Sequence, residues 1–134
     1  MDFNAYMTCC SANYQRLHKL IPKHAPIGES LTWIMDKMGQ LQLQVIQKHN
    51  HTDTLSIQFQ NEHASRWLAT FDVQINLYHD ACLAEVIALK DSQGQMQYFS
   101  HPKSRKQFPY WEKWQMNHLL CDVLAYCIKQ PKQA

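Results

Sequence analysis

The chain has 134 residues, of which 46% are hydrophobic and 18% charged, and its formal net charge is +2. That is enough apolar material for one core and too little charge for a disordered chain, at a length typical of one domain. The near-neutral balance does not fit a dedicated nucleic-acid binder, and no apolar run approaches the roughly 20 residues that cross a membrane.

The N-terminus, "MDFNAYMTCC", begins with an acid and lacks the basic and apolar regions of a signal peptide, so a cytosolic protein is expected. Asp2 can cap a helix. Phe3, Met7, Cys10, Tyr14, Leu17 and Ile21 then recur at spacings of four and three, one continuous helical stripe with Asn13 beside it. Pro22 stops it, which predicts a helix from about residue 3 to about residue 20. "PKHAPIGES" follows as a loop.

After this loop the period changes to two. "LTWIMDK" (Leu31–Lys37) predicts a first strand. Leu41, Leu43 and Val45 alternate with glutamines. Leu55, Ile57 and Phe59 alternate with Ser56, Gln58 and Gln60. Phe71, Val73, Ile75 and Leu77 alternate with Asp72, Gln74 and Asn76. Each run reads as a strand with one buried and one wet face. "KMGQ" and "HNHTD" are the intervening turns, and "QMQYF" (Gln95–Phe99) is a candidate edge strand after a turn at Gly94.

"HPKSRK" (His101–Lys106) is a small basic loop, read as solvated. Pro109 then opens a final helix. Met116, Leu119, Leu120, Val123, Leu124 and Cys127 fill one arc of that helix, and Lys113 and Asn117 project into the same arc nearer its start. A helix packed only for stability would keep a lysine off that face. Trp111 and Trp114 lie on its flank. The expected fold is a single α+β domain over residues 1–134, a mostly antiparallel meander of five or six strands with the N- and C-terminal helices on one face.

"LYHDACLAEV" (Leu77–Val86) joins two apolar runs through three polar side chains. A reversal at His79-Asp80 pairs Leu77 with Cys82, Ile75 with Ala84 and Val73 with Val86, all on one face. His-Asp is a poor choice for a two-residue hairpin, which needs positive φ. A longer loop or a bulge is therefore expected.

His79 and Asp80 could be a base and its orienting acid, metal ligands, or a turn held by an Asx-type hydrogen bond. Glu85 could be a general base, or a half-buried carboxylate paired with Lys113. His49, His51 and Asp53 share a loop that could bind metal adventitiously. The five cysteines, Cys9, Cys10, Cys82, Cys121 and Cys127, contain no C-x-x-C pair and read as free thiols. No metal site and no cofactor are expected, since there is no zinc-type ligand spacing and no glycine-rich phosphate loop.

"NYQRLHKLIP" (Asn13–Pro22), "LYHDACLAEV" and "EKWQMNHLLCDVLAYC" (Glu112–Cys127) together resemble the YqiB-like family of small proteobacterial proteins, a family of unknown function. The resemblance runs along nearly the whole chain and implies a cytosolic protein of this size, with no assigned activity. The residues carrying it include Tyr78, His79, Asp80, Glu85, Glu112, Lys113 and Asn117. The family pattern has an aromatic-Pro-Asn element before the last helix, whereas here Pro102 is followed by Lys103.

Those seven residues are the candidate site, a polar cluster between the central strands and the last helix. The leading expectation is a ligand-binding or protein-interaction domain, with Lys113 paired to Asp80 or Glu85. Its partner would be a small anionic ligand or a protein, with no membrane or nucleic-acid role expected, and sheet-edge homodimerisation is plausible. One alternative is a hydrolase acting on a nucleotide or other phosphate compound, with His79 as base. The other is a purely structural polar network, with function on an exposed surface or dimer interface.

Overall fold

The computed structural model describes residues 3–21, 25–34, 39–60, 70–90, 93–99 and 110–129. Helix α1 spans Phe3–Leu20 and helix α2 spans Tyr110–Cys127. Between them lie β1 (Ser30–Ile34), β2 (Gln40–Lys48), β3 (Thr52–Gln60), β4 (Thr70–Tyr78), β5 (Leu83–Lys90) and β6 (Met96–Tyr98). The six strands form one antiparallel sheet in sequence order, and with the two helices this is an α+β fold. Gly39, with φ of 106°, enters β2, and Gly94, with φ of 83°, turns the chain between β5 and β6. Glycine takes such values without steric cost.

The period-two alternation becomes a core face. Leu41, Leu43, Leu55, Ile57, Val73, Ile75, Ala84 and Val86 are buried together with Leu17, Leu120, Leu124 and Cys127 from the helices. Each fully buried Leu or Ile contributes about 1.5–3 kcal/mol, more than any one hydrogen bond on the opposite face. That opposite face is laced across its strands. Thr54 donates to Asn76 Oδ1, Gln58 to Asp72, and Tyr98 to Gln74.

Helix α1 is rotated relative to the predicted stripe. Its buried residues are Tyr6, Cys9, Cys10, Asn13, Tyr14 and Leu17, whereas Phe3 is 64% exposed. Cys10, Tyr14 and Leu17 of the stripe are buried, and the buried face extends to Tyr6, Cys9 and Asn13 because α1 packs against β5 and α2, where the strand offers Ala84 and Ala88. In α2 the predicted arc faces the core, with Met116 and Leu119 at its margin.

The β4–β5 register differs from the simplest reading by two residues. Leu77 pairs with Ala84 and Ile75 with Val86, so the reversal is the four-residue loop His79–Cys82. Cys82 completes it with φ of 53°. The longer loop relieves His-Asp of the positive φ that a two-residue turn demands. A bulge also occurs, further along. Gln74 pairs with Ala88 directly after Ile75 pairs with Val86, leaving Ile87 as the extra residue.

Strand β6 pairs only with Ala88–Lys90 of β5, and Phe99 N–H reaches Ile87 O at 3.0 Å. Among the described residues, the rest of that edge of β5 has no strand beside it. Both helices pack there. The basic loop His101–Lys106, the Pro102-Lys103 element, Pro109, and the side chains of Trp111 and Glu112 lie outside the described residues.

Candidate functional site

Where the helices meet β5, one polar network joins all three elements. Lys113 Nζ lies 3.2 Å from Glu85 Oε2, and the same carboxylate oxygen accepts a hydrogen bond from the Tyr6 hydroxyl. Of the two carboxylates expected to meet Lys113, Glu85 is therefore the one that does. The lysine side chain is only 12% exposed and the glutamate 25%, so the pair sits in a poorly solvated cleft between elements.

Asn117 is the centre of the network. Its Oδ1 accepts from the Val86 backbone N–H at 2.9 Å, and its Nδ2 donates to Lys113 O at 2.9 Å and to the Tyr6 hydroxyl at 3.4 Å. A backbone N–H can only donate, which fixes which end of the amide is oxygen. The Asn117 carbonyl oxygen accepts from Asn13 Nδ2 and from the Cys9 thiol, each at 3.2 Å. Asn13 and Asn117 are both fully buried, and Asn13 Oδ1 alone of these groups has no partner. Burial, and next the Glu85 hydrogen bond, push the Tyr6 hydroxyl far above the ordinary phenol value, so Tyr6 is a neutral donor. Its ring stacks on Trp114 at 5.2 Å.

The loop end of the sheet holds a second, separate group. His79 Nδ1 lies 2.9 Å from the Tyr14 hydroxyl, and His79 Nε2 lies 3.1 Å from Asp53 Oδ2. If Nε2 carries the proton toward Asp53, Nδ1 is left to accept from Tyr14. Burial, and then the nearby Cys82 and Asp53, raise the Tyr14 hydroxyl above its ordinary value, in keeping with a neutral donor. His79 N–H also bonds His51 O at 2.9 Å. Asp80 points away into solvent and meets only the exposed His51, at 3.4 Å. Tyr78 lies on the sheet's outer face, where its hydroxyl accepts from Asn76 Nδ2 at 3.1 Å.

The seven candidate residues therefore do not form one cluster. Glu85, Lys113 and Asn117 are together, while His79, Asp80 and Tyr78 belong to three other settings. The Glu112 side chain is outside the described residues. Tyr6, Asn13 and the partnership of His79 with Asp53 and Tyr14 were not read from the sequence. The buried arc Tyr6–Cys10–Asn13–Leu17, with an asparagine at its centre, was the available signal for the first two. Among the described residues no group of three or more His, Cys, Asp or Glu could hold a metal ion. None of the described helices is long and apolar enough to cross a membrane.

Comparison with known proteins adds a lineage to this geometry. The uncharacterized protein YqiB of Escherichia coli is 28% identical over 127 residues, covering 95% of this chain and 89% of that protein, and versions from three strains match equally. No solved structure matches. The family profile DUF1249, described as a protein of unknown function, matches residues 16–133, and the chain belongs to that family.

Proposed function

We propose that the protein is a non-catalytic interaction domain that meets a protein partner through the outer face of its sheet, with the buried polar groups serving the fold. One observation carries this reading. His79 and Lys113, the groups on which the hydrolase and anion-binding readings depend, are already paired within the chain. Both ring nitrogens of His79 are engaged, by Tyr14 and Asp53, and the Lys113 ammonium is matched to Glu85 and largely shielded.

The nitrogen that would take a substrate proton is occupied by the Tyr14 hydroxyl, so His79 could serve as a general base only after that hydrogen bond is broken. An anion approaching Lys113 would have to displace Glu85 from a cleft that is costly to leave half-paired. The outer sheet face, by contrast, carries Gln42, Gln44, Ser56, Gln58, Gln74 and Asn76 at half-buried to exposed positions. Flat amide-rich surfaces suit wet, polar protein interfaces with many hydrogen bonds.

The test is to place a photo-crosslinking amino acid at Gln44, Gln58 or Gln74, with His49 and Lys129 as controls, and irradiate living cells. A discrete adduct from the sheet-face positions and none from the controls is expected. Adducts only from the His49 side, or phosphoester turnover that disappears in His79→Gln, would overturn the reading.

A further inference from the structure

Beside the network above, two thiols from different helices face the α1–α2 interface. Cys9 on α1 is buried and points at α2, donating to the Asn117 carbonyl. Cys121 lies one turn further along α2 from Asn117 and is half-buried, so Cys9 and Cys121 face the same stretch of the α1–α2 interface. Arg16, two turns along α1 from Cys9, reaches across the same interface. Its Nη1 lies 2.9 Å from Cys121 Sγ and 3.2 Å from Cys121 O. So a partly accessible sulfur has a guanidinium fixed against it, and a second sulfur stands behind it on the neighbouring helix.

We propose that Cys121 and Cys9 form a peroxide-reactive pair that closes into a disulfide between α1 and α2. The reactant is a hydroperoxide. Cys121, as thiolate, attacks the terminal peroxide oxygen. The O–O bond breaks, the sulfur is oxidised to a sulfenic acid, and the hydroxide released becomes water, or alcohol from an organic peroxide, on taking up a proton. The Cys9 sulfur then attacks the Cys121 sulfur. The S–O bond breaks, the oxygen leaves as water with the Cys9 proton, and the S–S bond forms. Two thiols and one hydrogen peroxide give one disulfide and two waters.

Division of labour follows from position. Arg16 presents positive charge to the sulfur that must carry negative charge when it attacks, which assigns the first step to Cys121. Burial, and next Cys121 itself, hold the Cys9 thiol up at about 12, which suits a resolving thiol that stays protonated until a sulfenic acid is beside it. Cys82 is exposed, its thiol donating weakly to His79 O, and among the described residues neither a cation nor a second thiol is hydrogen-bonded to it. Cys10 bonds weakly to Asn117 Oδ1, at 3.9 Å.

The experiment treats the whole reduced protein with a slight excess of hydrogen peroxide and maps cysteines by mass spectrometry. The expected result is a Cys9–Cys121 linked peptide, reversed by dithiothreitol, with a raised thermal midpoint. Arg16→Gln should slow its formation about tenfold without changing the linkage. Cys9→Ser should stop at Cys121 sulfenic or sulfinic acid. The wild-type map decides the matter even if a variant folds poorly. Oxidation confined to Cys82, a Cys9–Cys10 link, or equal rates with Arg16→Gln would each overturn the proposal.

Discussion

Asn117 Oδ1 stands 2.9 Å from the backbone nitrogen of Val86, so a side chain from the last helix completes the hydrogen bonding of β5 at a position where, among the described residues, no strand lies on that edge. An open strand edge inside a core would cost the desolvation of each unpaired group. Asn117 meets that cost at Val86. Asn117→Ala should therefore lower stability by about 2–4 kcal/mol, more than an ordinary single hydrogen bond, because it strands the Val86 N–H in a dry site. Urea denaturation measures the loss, and amide exchange at Val86 should accelerate along with it. Exchange at Val86 that stays at the wild-type rate would show that the amide is held by something else.

The Lys113–Glu85 pair should behave as a pair. Lys113→Met and Glu85→Gln each leave one member unmatched, and each should cost about 1–4 kcal/mol. Made together they should cost clearly less than the sum, since the double variant buries no unpaired charge. Glutamine can still accept from the Tyr6 hydroxyl, so the α1 contact persists. Additive costs in the double-mutant cycle would mean that the ion pair contributes nothing as a pair.

Alkaline pH should unfold the protein earlier than it would a chain whose thiols titrate normally. Burial pushes Cys10 and Cys127 up from 9.0 to about 11, and burial together with Cys121 pushes Cys9 up to about 12. Tyr6 shifts the same way, from its own ordinary value of 10.0. These folded-state values are raised, so the unfolded chain gives up protons first as pH rises. The stabilisation is complete below the ordinary thiol value and is lost as pH climbs through the folded ones. Each thiol contributes a slope of up to about 1.4 kcal/mol per pH unit in that window. The urea midpoint should fall steadily from pH 9 upward, and less steeply in Cys127→Ala. A profile flat to pH 11 would contradict the burial of these groups.

Cys82 occupies the left-handed region at φ of 53°, where a side chain is strained. Its thiol makes one weak, exposed contact, 3.6 Å to His79 O. Cys82→Gly should raise stability by up to about 1 kcal/mol, the relieved strain being partly offset by a more flexible unfolded chain. Thermal melts would show it as a higher midpoint. A lower midpoint would mean that the thiol contact outweighs the strain.

Much of the architecture was written locally. Alternation in the runs containing Leu43, Ile57 and Ile75 marks strands with one apolar face. The intrusion of Lys113 and Asn117 into an apolar arc called for polar partners, because a buried cation needs one, and the structure supplies Glu85 and the Val86 N–H. Their actual partners were less legible. Tyr6 lies one position away from Met7 on the predicted stripe, and one residue turns a helix by about 100°. Asp53 was visible only as a loop acid, since nothing local announces that a hairpin end on β3 will stand beside His79.

Sequence alone determined the element types, the faces of the strands and the meander, because burial of alternate residues depends only on a period of two. It could not determine the β4–β5 register. A shift of two residues returns every side chain to its own face, so Leu77 opposite Cys82 and Leu77 opposite Ala84 satisfy the same pattern. Only the tertiary structure chose between them, through a four-residue loop, a bulge at Ile87 and the two helices laid along the open edge of β5. That choice separates His79 from Glu85. It gives the first to Asp53 and Tyr14 and the second to Tyr6 and Lys113, because side chains meet by where backbones pack and not by closeness in sequence.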